Sequence, residues 1–482
     1  MVEHFLDGKV TLHAGDCIAA LAELGECSID SCVTDPPYHL TSIVKRFGAD
    51  NAAPAKFGAD GRYARATSGF MGKQWDGGDI SARPETWAAV YRVLKPGGYL
   101  LAFGGTRTYH RMACAIEDAG FEVRDMVSWL YGSGFPKSHD VSKGIDRAAG
   151  AAREVVGVNA AAIRNKQRDT TWTGDVWGDN GATITAPATA EAREWAGWGT
   201  ALKPALEPIC MARKPLIGTV AANVLEHGTG AINIDGCRVD GVVTSNPLVR
   251  NARGFESDGL VQGETGKGVV STGRWPANVI HDGSEEVTAA FPESSSGTLT
   301  AEHRRNGGYS NNRKNEIFGK GSERGCEPDA STYAADSGSA ARFYYSAKAD
   351  ADDRLGSRHP TVKPVDLMQY LVRLVTPRGG LVIDPFAGTG TTGEAAWREG
   401  MRAVLIEREQ DYQADIRRRM ALVLAGPDER SRESIKAKGA PVDYGPLFAV
   451  PYDPVADFEG SIDDCYAAIR ERKANGGAGW PE

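Results

Sequence analysis

The chain has 482 residues, 41% of them apolar and 24% charged, which is ordinary globular composition and long enough for two or three domains or one large domain with insertions. Its apolar runs are too short to span a bilayer. Its net charge of −8 does not advertise a nucleic-acid binder, so any DNA-facing basic surface has to be local.

The first residues, Met-Val-Glu-His-Phe-Leu-Asp-Gly-Lys, lack the basic-then-apolar layout of a signal peptide. Val10-Thr11-Leu12-His13 reads as a short strand, followed by Gly15-Asp16 and a helix with Ile18, Leu21 and Leu24 on one face. The eight cysteines, at 17, 27, 32, 114, 210, 237, 326 and 465, are scattered, and no pair has C-x-x-C spacing. That pattern predicts reduced thiols in a cytoplasmic protein and no structural metal. The apolar stretch Ile29 to Thr34 predicts a buried strand, and it runs directly into Asp35-Pro36-Pro37-Tyr38-His39. Proline cannot continue the hydrogen-bond ladder, so the strand ends there. The stop is either a plain Asp-Pro turn or a rigid catalytic loop.

Pro84 opens a helix with Trp87, Val90, Tyr91 and Leu94 as its stripe, and Lys95-Pro96-Gly97-Gly98 is expected to end it. Tyr99 to Phe103 is a continuous apolar run, as expected of a central parallel strand covered on both faces. A helix near 107–119 and a strand near 121–130 follow. From 132 to 345 the chain is rich in Gly, Asn, Ser, Thr and Trp and has few long periodic stretches. One exception, Leu206 to Ala212, reads as a strand returning to the sheet. Residues 363–375 are amphipathic, and Leu381-Val382-Ile383-Asp384 is a strand entering a glycine-rich turn, Asp384-Pro385-Phe386-Ala387-Gly388-Thr389-Gly390. A helix to about 399 and the strand Ala403 to Glu407 complete this part. Strands alternating with helices predict a doubly wound α/β sheet. The tail from 426 is punctuated by Pro and Gly, with a short helix expected at 461–473.

The turn after Asp384 is a nucleotide-ligand layout: Gly388 and Gly390 allow close backbone approach, and Gly393 allows the helix to sit tightly on the sheet. Glu407, ending the next strand, is placed for ribose hydroxyls. Dehydrogenases and methyltransferases share this arrangement.

Taken together, Asp-Pro-Pro-Tyr after one strand, Asp-Pro-Phe-x-Gly-x-Gly after another, and His359-Pro360-Thr361-Val362-Lys363-Pro364 before the intervening helix resemble the DNA amino-methyltransferases. Gly15-Asp16 and Leu94-Lys95-Pro96-Gly97-Gly98-Tyr99-Leu100 also match. The similarity covers roughly 10–131 and 342–422. With the Asp-Pro-Pro-Tyr motif first, it resembles the beta class, whose methyltransferase fold is circularly permuted. The resemblance implies a catalytic half at 1–131, target-recognition insertions at 132–341 (with 202–215 returning to the sheet), a cofactor half at 342–425 and an extension at 426–482.

The implied reaction is transfer of a methyl group from S-adenosylmethionine to N6 of a flipped adenine in double-stranded DNA. The exocyclic amine is a poor nucleophile because its lone pair is delocalised. Asp35 and the Pro36 carbonyl would accept its two hydrogens, Pro36 and Pro37 would stiffen the loop, and Tyr38 would stack on the base. By the same resemblance Asp35, Asp384, Pro385, Phe386, Ala387, Gly388, Thr389 and Gly390 line the cofactor, Glu407 takes its ribose and Asp16 its adenine edge. Thr361 and Lys363 would close the pocket. Simpler readings stand beside these: Asp16 as a helix cap, Glu407 as an exposed strand end, Lys363 as surface cover. His39 departs from the Asn or Gly common in the family. The tryptophans at 172, 177, 195, 198 and 275 either stack on bases or form the core of the insertions, with the core reading favoured for most; 303–324 is the best local basic candidate, and on charge alone its reading as a solvated mobile loop is favoured. Segment 134–138 is a further candidate contact to the base. Alternatives to the adenine reading are a cytosine-N4 enzyme, which more often begins the motif with Ser, and a non-catalytic DNA-binding relic. A homodimer and a cognate restriction nuclease are candidate partners, in the cytoplasm of a bacterial or phage-infected cell.

Overall fold

A computed structural model describes residues 1–38, 79–134, 138–158, 183–239, 244–245, 270–271, 273–296, 336–347, 351–357, 359 and 361–437. Ten strands form one sheet: β1 (Val2–Phe5), β2 (Val10–Ala14), β3 (Ile29–Thr34), β4 (Leu94–Phe103), β5 (Glu122–Leu130), β6 (Leu206–Arg213), β7 (Val279–His281), β8 (Tyr345–Ser346), β9 (Leu381–Asp384) and β10 (Arg402–Glu407). Their spatial order is β1-β2-β10-β9-β3-β4-β6-β5-β7-β8. The central run β2-β10-β9-β3-β4 is parallel throughout. Strand β1 is antiparallel to β2, and β6 is antiparallel to both neighbours, β4 and β5.

Eight helices matter for the site: α1 (Cys17–Glu23), α2 (Pro84–Val93), α3 (Tyr109–Asp118), α4 (Val220–His227), α5 (Val365–Val375), α6 (Thr391–Arg398), α7 (Gln410–Ala421) and α8 (Pro427–Ala437). They make two layers because the central strands are apolar on both faces. In β10, Ala403 and Leu405 pack with α5, α6 and α7, while Val404 and Ile406 pack with α1, α2 and α3. In β4, Leu101 and Phe103 take the first side, and Leu100 and Ala102 the second. This is the period-two alternation of a pleated strand applied to a sheet with two dry faces.

Two local expectations change. The segment Lys95-Pro96-Gly97-Gly98 lies inside β4, which is parallel to β3 on one side and antiparallel to β6 on the other. The register shifts between Ile29 and Ser31, and that irregularity accommodates Pro96 within the strand. The Pro96 carbonyl accepts from Asn223 Nδ2 of α4 at 2.9 Å and from Thr229 Oγ1 at 2.6 Å. In the tail, the helix is α8, at 427–437; the helix expected at 461–473 lies outside the described residues. Periodicity did not mark α8 because its inward residues are Arg430 and Ser434, not an apolar stripe.

Between β5 and β6 the chain forms a helix, Val141–Ala148, and a two-stranded sheet of Val155–Val158 with Thr183–Thr185. Buried Asp146 ties them together by pairing with Arg153 at 2.6 Å and accepting the Ala188 and Thr189 backbone N–H groups. Trp195, Trp198 and Trp275 are exposed, against the reading of the insertion tryptophans as core. Trp195 and Trp198 meet edge to face at 5.0 Å, and the Arg238 guanidinium lies 5.4 Å from the Trp275 ring. Trp172, Trp177, His39 and 303–324 fall outside the described residues.

Candidate active site

Ligands of doubly wound sheets bind beyond the carboxyl ends of parallel strands. Here β3, β9 and β10 end side by side, and each end carries an acid. Asp384 ends β9. Its Oδ1 accepts from Thr34 Oγ1 of β3 at 2.7 Å and from the Phe386 N–H at 3.1 Å, and its Oδ2 accepts from Thr392 Oγ1 of α6 at 2.5 Å. The carboxyl fastens the loop after β3 to the turn after β9, and burial pushes its pKa up to about 6.

That turn needs its glycines. Gly388 has φ +52° and Gly390 φ +78°, a region costly for residues with a Cβ. A Cβ on Gly393 would lie 2.7 Å from the Leu405 side chain, so its absence lets α6 sit close on β10. Arg419 of α7 braces the turn by donating to the Thr389 carbonyl at 2.8 Å.

The Asp35-Pro36-Pro37-Tyr38 loop is held by contacts no motif encodes. Ser81 Oγ donates to the Pro37 carbonyl and Thr108 Oγ1 to the Tyr38 carbonyl, both at 2.6 Å. Gly105 makes room for the Tyr38 ring, since a Cβ there would lie 3.2 Å from the ring edge. Lys363 is buried and donates to Asp35 Oδ2 at 2.6 Å. The pocket-closing lysine of the sequence reading therefore pairs with the proposed catalytic acid. Its ammonium also lies 3.2 Å from Glu207 Oε2, at the start of β6. Tyr38 Oη donates to Asp35 Oδ1 at 2.8 Å and lies 3.2 Å from Glu207 Oε2. Burial opposes the charge on Lys363, yet Asp35 and Glu207 outweigh it and raise its pKa. Burial, with the same two carboxylates, raises the Tyr38 pKa and keeps the phenol protonated.

A cavity of about 350 Å³ joins the two loops. Its lining includes Asp35, Pro36, Pro37 and Tyr38 of one loop, Asp384, Pro385, Phe386, Ala387, Gly388 and Thr389 of the other, and Asp16, Thr361, Lys363 and Glu407. Gly390 is not part of the wall; it turns the chain into α6. Asp16 both faces the cavity and caps α1, Oδ1 accepting from the Ile18 and Ala19 N–H groups. Glu407 is buried rather than an exposed strand end. It accepts from the Gly388 N–H and the Glu409 N–H, each at 2.8 Å, and burial pushes its pKa up to about 7. Beyond the predicted residues, Glu207, His359 and Tyr412 also line the cavity. The His359 ring packs edge-on against Tyr412 at 4.5 Å, and burial lowers its pKa to about 4. His359 belongs to the His-Pro-Thr-x-Lys-Pro motif. Glu207 had no motif at all.

This wall suits S-adenosylmethionine. It offers a glycine-turned backbone, an apolar Phe386 surface, an acid at a strand end for a ribose, and carboxylates at the end where a cationic sulfur would lie. Among the described residues, no helix is long and apolar enough to cross a membrane, and no cluster of His, Cys, Asp and Glu is arranged for a metal.

A doubly wound sheet with an acidic Pro-Pro loop and a glycine turn around one cavity defines a methyltransferase-type protein. Residues 29–418 match the DNA methylase family model for N6 and N4 methyltransferases, and the chain belongs to that family, whose methyl donor is S-adenosylmethionine. It is 25% identical over 242 residues to the type II methyltransferase M.HindIII of Haemophilus influenzae, covering 46% of this chain and 64% of that one. It is 37% identical over 68 residues to M2.DpnII of Streptococcus pneumoniae, covering 14% and 25%. The chain thus spans less than two thirds of the length of either relative. Among solved structures it resembles the M1.HpyAVI–SAM complex, with 12% identity, a TM-score of 0.34, and coverage of 85% of this chain and 98% of that one.

Proposed function

We propose that the chain methylates N6 of adenine in double-stranded DNA, at a specific site. The observation that carries this is the shared cavity: Asp35, on its proline-stiffened loop, faces the same space as the glycine turn. The cofactor, when bound there, supplies an activated methyl group on a cationic sulfur. Phe386, Gly388 and Thr389 would hold it, Glu407 would accept from its ribose hydroxyls, and Asp16, whose Oδ1 caps α1, would offer Oδ2 to its adenine edge. Asp35 accepts one amino hydrogen and the Pro36 carbonyl the other, which frees the nitrogen lone pair for in-line attack. Both oxygens of Asp35 are engaged by the protein, so the incoming amine would displace the Tyr38 hydroxyl from Oδ1, leaving it on Glu207 Oε2, with the Tyr38 ring available to stack on the base. As the nitrogen–carbon bond formed, the donor's sulfur–carbon bond would break and leave a neutral thioether; positive charge would arrive on nitrogen beside Asp35, which would then take a proton from it.

The strand order supports the circularly permuted reading. The cofactor strands β9 and β10 come last in the chain yet lie between β2 and β3. On this reading 1–131 is the catalytic half, 342–425 the cofactor half, and the insertions at 132–341, with exposed Trp195, Trp198 and Trp275, read the DNA.

The test is nucleoside mass spectrometry of unmethylated DNA incubated with the protein and S-adenosylmethionine. N6-methyladenine is the expected product. N4-methylcytosine would move the assignment to the cytosine reading, and no methylated base on diverse DNA would leave only a binding protein. DNA affinity should fall steeply with salt, as phosphate contacts require.

Glu407 predicts a pH dependence. Burial pushes its pKa up to about 7, and the carboxylate is the stronger acceptor for ribose hydroxyls than the neutral acid. Affinity for S-adenosylhomocysteine should therefore rise between pH 6 and pH 8 in calorimetric titrations. Glu407→Gln should flatten that rise, which separates it from the titration of Asp384 near pH 6.

A further inference from the structure

Lys363 presents a problem for the proposed chemistry. An ammonium 2.6 Å from Asp35 cancels the negative charge that should draw hydrogen bonds from the amine and stabilise the charge arriving on nitrogen. A neutralised pair is a poor acceptor. The same ammonium, however, lies 3.2 Å from Glu207. The protonated Tyr38 hydroxyl bridges the two acids, 2.8 Å from Asp35 and 3.2 Å from Glu207. Two carboxylates and one ammonium leave this cluster one negative charge in excess, inside a wall where fields are poorly screened.

We propose that Glu207 is a positioning residue for methyl transfer: it holds Lys363 and Tyr38 and supplies the excess negative charge that lets Asp35 act as an acceptor opposite a cationic methyl donor. The inference rests on the methyl-transfer reading above. The fold explains how a residue outside every motif reaches the site. Strand β6 is antiparallel to β4, with Ile209 opposite Phe103, so the start of β6 lies just beyond the carboxyl end of β4. An antiparallel strand is the only kind that brings its first residues to the rim where parallel strands end. Two further acids at the rim, Asp384 and Glu407, are taken up by structural partners, Asp384 by Thr34 and Thr392, Glu407 by the Gly388 and Glu409 N–H groups.

The charge makes a prediction separable from activity. S-adenosylmethionine carries a positive sulfur and S-adenosylhomocysteine a neutral one, while the rest of the contact surface is shared. In calorimetric titrations, Glu207→Gln should weaken binding of the methylated form roughly tenfold more than that of the demethylated form, and Glu207→Asp should restore much of the preference. In single-turnover methylation of DNA, Glu207→Gln should be roughly a hundredfold slow at saturating cofactor. Equal weakening of both ligands, or a wild-type rate in Glu207→Gln, would overturn the inference. If the wild-type protein bound both ligands and methylated no DNA, the DNA reading would fail while the ligand ratio still judged Glu207.

Discussion

Asp35→Ala should lower the single-turnover rate of DNA methylation by roughly 10³-fold while leaving the protein folded and able to bind S-adenosylhomocysteine. The substitution removes the carboxylate proposed to accept the amino hydrogen and to face the charge arriving on nitrogen. It should not unfold the chain, although it breaks an ion pair with a buried lysine. Removing one partner of a buried pair is severe when the other is left uncompensated, and here Lys363 keeps Glu207 at 3.2 Å. The backbone of the loop also keeps its anchors, Ser81 on the Pro37 carbonyl and Thr108 on the Tyr38 carbonyl. Single-turnover kinetics with labelled cofactor measure the rate, and titration with the neutral product measures the intact pocket. An Asp35→Ala protein retaining a tenth of the wild-type rate would remove Asp35 from the chemistry. Asp35→Asn is the sharper companion. It keeps the shape and one acceptor oxygen but lets Lys363 face Glu207 alone, so a rate as low as that of Asp35→Ala would show that charge, not shape, carries the effect.

The two loops that meet at this cavity were legible because their local physics is extreme. Pro36 and Pro37 stop a strand whatever surrounds them, and Gly388 and Gly390 occupy backbone angles that side chains resist. The central strands were legible as continuous apolar runs, since they are covered on both faces. What joins the loops was not legible. The Lys363–Asp35 pair spans 328 positions, and the Tyr38–Glu207 contact spans 169. Such contacts follow from strand order, and Leu206 to Ala212 reads as a strand without revealing that it runs antiparallel between β4 and β5. Asp16 shows a second limit: one carboxylate both caps a helix and faces the cavity, so its two readings never excluded each other. The insertion tryptophans show a third, because an aromatic residue in sequence looks the same whether it fills a core or stands exposed, as Trp195, Trp198 and Trp275 do.

The largest stability effect should come from a residue that touches no ligand. Glu394 of α6 is fully buried and pairs with Arg419 at 2.7 Å, Arg430 at 2.9 Å and Arg398 at 2.7 Å. Arg419 is itself buried and reaches the Thr389 carbonyl of the glycine turn; Arg430 is buried and belongs to α8. One acid thus joins the glycine turn, α7 and α8. Glu394→Ala would take from two buried guanidinium groups the carboxylate they share, and breaking a buried pair in this way typically costs about 3–5 kcal/mol. Arg419 and Arg430 would keep weaker, uncharged acceptors, among them the Thr389 and Leu422 carbonyls and the Thr389 hydroxyl. Chemical denaturation at pH 7 should show that loss, and Arg398→Ala should show little of it because Arg398 is more than a third exposed. The acid limb of the stability profile gives the same answer independently. Burial works against the charge on Glu394, but its arginines hold the pKa below the ordinary glutamate value. A lowered carboxyl adds stability that is complete above its unfolded pKa and drains away as pH falls through the folded one. The difference between wild-type and Glu394→Ala proteins should therefore shrink as the solution is acidified below the ordinary glutamate range. A difference that stayed constant down to pH 2 would mean that lost packing, not lost charge, destabilises the variant.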